Sequence, residues 1–465
     1  GRMEIIMKIG FLPLYIELYD RSGSTSRDRL EPFYETLARA FEEKGIEVVR
    51  SSFCRLEEEF KHAVNKFEEN QVDCIVTWHA AYSPSLESIQ VLANTPLPIV
   101  VLDTTETYDF SPSQDSGEIS YCHGIHGVMD MCNMLTRYHK SYAIATGHYP
   151  NSDVLDRAIG YIRAAVAATS VAGSTVGQIG QSFPGMGDFL ISDEEISSRF
   201  GVKVVRTSAE ELEALKSSVT DAEIQSEMAE DLADAIKLNQ FSEDAHRLTV
   251  KNCLAVRRWL EKHQLDAFSV DFMDISSSMG LDCMPFMEAC KAMARGIGYA
   301  GEGDILTAVM TGALLRGFGT ATFVEIFCPD WKNDTLFLSH MGEVNFSLTK
   351  KEKSIKEINF VYTDAQNPIV KYACLKKGTA TFLNLFCSHD GYKLLIAPVT
   401  MEEPVGEDKF TSSIRGWMRP EMPIADFLEK ISMVGVTHHS MLVYDATPEQ
   451  IAFFGRLLGL EIIRL

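Results

Sequence analysis

The chain has 465 residues, 46% of them hydrophobic and 23% charged, and a formal net charge of −22 at pH 7. That length allows two to four folded domains, and the charge argues against nucleic acid and anionic membrane surfaces as partners. No run approaches the ~18 consecutive apolar residues of a membrane-spanning helix. The first residues lack a signal-peptide core, and Gly1-Arg2 reads as a cloning remnant. The ten cysteines are scattered, with no Cys-x-x-Cys pair, as in a reduced cytosolic protein rather than a disulfide framework. The expectation is a soluble, cytoplasmic protein acting on a neutral small molecule.

In chain order, residues 8–12 read as a short apolar strand. Residues 26–43 then show helical spacing, with Leu30, Phe33, Leu37, Ala40 and Phe41 recurring every three or four positions, and Gly45 ends that helix. Strands at 46–50, 72–78, 97–102 and 143–146 alternate with helices at 56–70, 85–93, 127–138 and 153–168. Near-continuous apolar strands between amphipathic helices imply a parallel sheet covered on both faces, Rossmann- or flavodoxin-like. After the first strand the chain reads Leu12-Pro13-Leu14-Tyr15. That is not a Gly-x-Gly-x-x-Gly loop, so no dinucleotide site is expected. These elements make an N-terminal α/β domain of residues 1–172.

A second α/β domain is expected over 173–318. It has strands at 202–205 and 268–272, a helix at 209–215, a long helical stretch from 221 to 263 broken near 239–241, and a helix at 287–295. A glycine-rich loop, 296–304, then leads into a helix at 305–315, with Asp304 as its N-cap. Residues 319–465 change character. Strands are expected at 320–327, 336–338, 358–362, 378–386 and 394–398, with an Asp390-Gly391 hairpin turn and almost no helical pattern before 448–458. This last third reads as a small β-barrel or β-sandwich.

The chemistry-bearing residues cluster late in the chain. They are Glu302 in Gly301-Glu302-Gly303-Asp304, Glu325 in Phe323-Val324-Glu325-Ile326-Phe327, His340 in Ser339-His340-Met341-Gly342-Glu343, and the pair His438-His439. Glycines beside Glu302 let the backbone turn its side chain inward. Glu325 interrupts an apolar strand, where an ionised group is costly unless it is paired or bound to metal. Two adjacent histidines cannot both face one site on a regular strand, so one of the pair is expected to serve as the ligand. Two carboxylates and two imidazoles suit a divalent ion such as Mn²⁺, Co²⁺, Fe²⁺ or Zn²⁺ better than Mg²⁺. Four ligands on an octahedral ion leave two positions for adjacent oxygens of a substrate.

The order of these segments resembles the L-arabinose isomerase family. The likeness is carried by Gly298-Tyr299-Ala300-Gly301-Glu302-Gly303-Asp304, Phe323-Val324-Glu325, Ser339-His340-Met341-Gly342-Glu343 and His438-His439. In the first domain it is carried by Ile125-His126-Gly127 and Thr146-Gly147-His148-Tyr149. The resemblance implies two Rossmann-like α/β layers followed by a C-terminal β-barrel-like domain, and a Mn²⁺-dependent aldose–ketose isomerase. It implies Glu302, Glu325, His340 and His439 as metal ligands, with Glu302 and Glu325 also serving as acid and base. It places Leu14, Tyr82, His126, Met186, Phe327 and His438 around the sugar, near His79 and His123. It also implies a homo-oligomer, a trimer or hexamer, in which His126 is lent by a neighbour.

Such an isomerase moves a proton between C1 and C2 of an open-chain sugar through an enediol, and needs no redox cofactor. Two departures from the family pattern bear on the sugar. The family's Gln-His-Leu-Tyr is Pro13-Leu14-Tyr15 here, and its Asp-Tyr after the second glutamate is Ile326-Phe327. Apolar groups thus replace hydrogen-bonding ones, as for a different or less oxygenated sugar. A non-catalytic sugar-binding or regulatory protein on the same scaffold, or an L-fucose isomerase-like enzyme, is the alternative.

Overall fold

A computed structural model describes residues 6–276 and 278–465. Residues 1–5, on which the cloning-remnant and leader readings largely rest, lie outside the described residues. The chain divides into two compact units, one ending at Thr169 and the other running from Ser170 to Leu465.

The first unit is built on five parallel strands: β1 (Lys8–Leu14), β2 (Glu47–Arg50), β3 (Cys74–His79), β4 (Ile99–Asp103) and β5 (Tyr142–Thr146). Their order is β2-β1-β3-β4-β5, the flavodoxin-like arrangement. Every residue of β3 is buried, as expected for a strand with helices on both faces. The helix Arg27–Glu43 buries Leu30, Phe33, Leu37, Ala40 and Phe41, the stripe its spacing predicts.

The second unit opens with another parallel sheet. Its strands are β6 (Thr175–Ile179), β7 (Lys203–Arg206), β9 (Ala267–Val270) and β10 (Gly298–Tyr299), in the order β10-β9-β6-β7. Between β7 and β9 the long helical stretch is two helices, Asp221–Ala233 and Glu243–Lys262, separated by the short strand β8 (Ala235–Lys237). The helix Ile305–Phe318 begins at Asp304, whose side chain accepts a hydrogen bond from Thr307 N, so the anticipated N-cap is present.

An antiparallel half-barrel follows. It comprises β11 (Ala321–Val324), β12 (Ile326–Asp330), β13 (Thr335–Leu338), β16 (Gly378–Ser388), β17 (Gly391–Glu402), β18 (Gly416–Pro420) and β19 (Ser440–Tyr444). A further strand, β20 (Glu461–Arg464), pairs in parallel with β17. The strand order is β11-β19-β16-β17-β18-β13-β12. The edge strands β11 and β12 are joined by Glu325 alone, so the sheet curls until its two edges meet at that residue. The remaining strands, β14 (Lys353–Glu357) and β15 (Ile369–Tyr372), form a small separate sheet with β8.

Two expectations fail here. Residues 358–362 are not a strand. Ile358 N bonds Pro368 O and Phe360 N bonds the Asn367 side chain, so the run folds back as a loop and leaves Val361 69% exposed. A helix, Ile424–Val434, does precede 448. It buries Ile424, Phe427 and Ile431 at three- and four-residue spacing and stops at Gly435 with φ 88°. The Asp390-Gly391 hairpin is present, with Ser388 paired to Gly391. Among the described residues, no helix is long and apolar enough to cross a membrane.

Candidate metal centre

The centre lies in the second unit, where the parallel strands β9 and β10 end at their carboxyl edge, the usual place for a ligand in such sheets. Past β10 the chain turns sharply. Glu302 has φ 65° and Gly303 φ 83°. A left-handed conformation in a residue with a side chain is strained, and such strain collects at functional sites. Here the backbone holds it: Glu302 N donates to Val270 O at 3.2 Å, and Glu302 O accepts from Phe183 N at 2.9 Å. Gly301 is needed for closeness, since a Cβ there would fall 2.7 Å from His340 Cε1.

Glu325 sits at the seam between β11 and β12, outside both ladders, with its carbonyl accepting from Ser339 N at 3.0 Å. His340 follows two residues after the end of β13. His438 and His439 occupy a bend immediately before β19. Because the bend is not a strand, side chains need not alternate, and both imidazoles turn to the same place. The alternation of a regular strand does not apply at this bend, and His438 adjoins the centre beside His439.

His439 Nε2 lies 3.0 Å from Glu302 Oε1. His340 Nε2 lies 3.4 Å from Glu302 Oε1 and 3.8 Å from Glu325 Oε2. His438 Nε2 lies 3.6 Å from Glu325 Oε1. Ligand atoms of Glu302, Glu325, His438 and His439 all lie within 4.8 Å of one another, and His340 adjoins both glutamates. The structure thus brings together all four expected ligands and adds His438.

Each imidazole also has a carboxylate behind it. His439 Nδ1 is 2.9 Å from Asp304 Oδ2, His340 Nδ1 is 3.1 Å from Glu343 Oε1, and His438 Nδ1 is 2.7 Å from Asp188 Oδ2. An ionised carboxylate only accepts, so Nδ1–H donates and Nε2 is left for the centre. Metal-ligating histidines are oriented in this way. Tyr299 OH donates to Glu343 Oε2 at 2.8 Å, and Phe189 stacks on His439 with ring centroids 5.0 Å apart.

Burial pushes the Glu302 carboxyl up, but hydrogen bonds from His340 and His439 outweigh it and hold the group at about 2. Burial also acts on Glu325, which stays raised despite His340, His439 and His438. Burial lowers the two inner imidazoles, yet their acidic partners prevail. Glu343, Glu302 and Glu325 lift His340 to about 10, and Asp304 and Glu302 lift His439 to about 9. Without a cation, the cluster balances its carboxylates with protons. A divalent ion would replace them, and mixed carboxylate–imidazole donors suit a borderline transition ion.

The other expected site residues are placed as follows. Met186 is half-buried in the loop that carries Asp188 and Phe189. Phe327 is 48% exposed, its ring 6.4 Å from that of His340. In the first unit, Leu14 is fully buried in the core. There Tyr82 stacks on His126 at 4.9 Å and donates to Asp130.

Sequence reasoning missed Asp188, the second role of Asp304, and Asp271. Asp271 is fully buried with Oδ2 unpartnered. Burial, then Asp274 and Glu302, push its carboxyl up to about 7. The only sequence signal for the supporting carboxylates is the three-residue spacing of His340 and Glu343.

Two family models match the chain. The L-arabinose isomerase central domain matches residues 193–316, and the L-arabinose isomerase C-terminal domain matches 320–461. Relatives match along most of its length. The L-arabinose isomerase of Shouchella clausii is 23% identical over 100% of this chain and 95% of its own. Those of Salmonella arizonae and Enterobacter sp. are 23% and 24% identical, each over 83% of this chain and 80% of their own. Among solved structures, a periplasmic solute-binding protein from Actinobacillus succinogenes with bound D-allose aligns at 12% identity. It covers 67% of this chain and 91% of that one, and its TM-score of 0.18 is too low to inform the fold. With the two models together spanning more than half of its residues, the chain belongs to the L-arabinose isomerase family.

Proposed function

We propose that this protein is a metal-dependent aldose–ketose isomerase acting on a sugar. The observation that carries the reading is a buried and a half-buried glutamate faced by three imidazoles, each backed by its own carboxylate. Glu302, Glu325, His340 and His439 would hold the ion, Mn²⁺ or a similar ion such as Co²⁺, with His438 on the open side. When bound, such an ion supplies Lewis-acid polarisation of two adjacent sugar oxygens.

The chain's own residues move the protons. One glutamate removes the proton on C2 of the open-chain aldose, and the electrons of that C–H bond form the C1–C2 double bond of an enediol. The carboxylic acid then returns the proton to C1, while the hydroxyl proton on O2 is transferred to O1, leaving a ketone at C2. The other glutamate relays that hydroxyl proton. The two carboxyls are suited to different protonation states because their surroundings push them in opposite directions.

The relatives are named L-arabinose isomerases. The exposed Phe327 ring beside the centre leaves the choice among pentoses, hexoses and deoxy sugars to a panel. We further propose a cytoplasmic homo-oligomer, trimer or hexamer, whose neighbour lends His126 to the sugar, with Tyr82 and Met186 near it. The subunit would have domains at 1–172, 173–318 and 319–465. Incubating the Mn²⁺-loaded protein with the panel and resolving aldose from ketose by chromatography tests the activity. Failure to convert any sugar would overturn it. Glu302→Gln and Glu325→Gln should each reduce turnover by about 10²–10⁴-fold, the usual weight of a general acid or base.

A further inference from the structure

His438 differs from the other two imidazoles of the centre. The side chains of His340 and His439 are 3% and 0% exposed, whereas His438 and its partner Asp188 are each 36% exposed. This is the open side of the centre, where a substrate would enter. A histidine ring on that side would rotate freely unless something held it.

Asp188 holds it at two points. Its Oδ2 accepts from the His438 backbone N at 2.8 Å and from the ring Nδ1 at 2.7 Å. The first bond fixes where the residue begins and the second fixes how its ring is turned. The next residue, Phe189, is buried, stacks on His439 and lies 5.9 Å from the His438 ring. That anchors the Asp188 segment to the histidine pair. A carboxylate has no proton to give, so the shared hydrogen sits on Nδ1 and the Nε2 edge of the ring is turned toward the centre. Nε2 then lies 3.6 Å from Glu325 Oε1.

We propose that Asp188 is a positioning residue that holds the Nδ1–H edge of His438, so that Nε2 faces the open side of the centre toward a sugar hydroxyl. The role for the hydroxyl rests on the isomerase reading; the lock itself does not. An asparagine at 188 would keep size and shape, but its amide can accept from or donate to Nδ1 and so permits both tautomers. A glutamate restores a carboxylate.

The test uses the full-length, metal-free protein with ¹⁵N-labelled histidine and the Mn²⁺-loaded protein for kinetics. Two-bond ¹⁵N–¹H spectra should show a hydrogen held on Nδ1 of His438 in the parent and a mixture of Nδ1–H and Nε2–H forms in Asp188→Asn. Asp188→Asn should lose about 10- to 100-fold in kcat/KM, the usual effect of removing a carboxylate behind such a histidine, and Asp188→Glu should recover most of it. A parent spectrum with the hydrogen on Nε2 alone, and none on Nδ1, overturns the proposal even if the variants do not fold. A folded Asp188→Asn with one tautomer and full turnover overturns it as well. If the spectra are as expected but the parent converts no sugar, the lock stands and the isomerase reading fails.

Discussion

Asp304 serves two neighbours with its two oxygens. Oδ1 accepts from Thr307 N and caps the helix Ile305–Phe318, and Oδ2 accepts from His439 Nδ1. The two roles are separable by substitution. Asparagine is as good an N-cap as aspartate, so Asp304→Asn should leave thermal stability within about 0.5 kcal/mol of the parent. It weakens the grip on His439, because a neutral amide carbonyl accepts less strongly than a carboxylate. Mn²⁺ affinity by titration calorimetry should fall about 10- to 100-fold. Asp304→Ala should show the same loss of affinity and also destabilise the protein by about 1 kcal/mol as the cap is lost. Equal Mn²⁺ affinity in the parent and both variants would remove Asp304 from the centre.

At the level of elements, the loop after β10 places the centre by close approach. In Gly301→Ala, the new methyl would collide with His340 Cε1 at 2.7 Å and press on Glu343 Oε2 at 3.1 Å. The variant should fold with parent-like circular dichroism yet bind Mn²⁺ about 10-fold or more weakly. Parent-like affinity would show that the loop gives way freely.

The helices behind the sheet carry a second test. Glu227 on Asp221–Ala233 meets Arg257 of Glu243–Lys262 at 2.8 Å and Lys291 of Phe286–Ala294 at 3.3 Å. Burial pushes the Glu227 carboxyl up, but these cations pull it down to about 2 from an ordinary 4.5. A depressed acid stabilises the fold above its unfolded value and loses that contribution as pH falls through its folded value. The melting temperature should therefore decline from about pH 4.5 toward pH 2, with at most about 3 kcal/mol from this group. Glu227→Gln should flatten part of that decline.

These elements also show what the sequence makes legible. Helices with one buried stripe, such as Arg27–Glu43, announce themselves by spacing. Strand β6 does not, because Gly177 lies in its middle and leaves room for the Trp259 ring, which a Cβ there would meet at 2.4 Å. Glu302 and Glu325 stand out because each breaks the local pattern, and such breaks mark functional sites. Asp188 breaks no pattern, and its partner is 250 residues away in sequence, so only the folded chain reveals it.

Across the whole molecule, the net charge of −22 draws cations toward the surface, while the centre itself meets them already protonated. His340 at about 10 and His439 at about 9 are both imidazolium at pH 7 without a metal. Their sign is opposite to that of Glu227. Each stabilises the metal-free fold below its unfolded value of 6.5, and that contribution is lost as pH rises through the folded values. A divalent ion needs the bare Nε2 of each, so binding must expel up to two protons. Mn²⁺ affinity should then rise with pH by up to about 100-fold per unit near pH 7 and level off above pH 10, as each proton is removed in advance. Calorimetry in buffers of different ionisation enthalpy measures the protons released directly. A release near two at pH 7 is the expected result, and His439→Gln should reduce it by about one. At 100 times its dissociation constant, the ion should also add about 2.7 kcal/mol to the stability of the unit that binds it. The added stability should be larger at pH 8 than at pH 6 for the same concentration of Mn²⁺. Binding that releases no protons, with the same stabilisation at both pH values, would place the ion somewhere other than between these imidazoles.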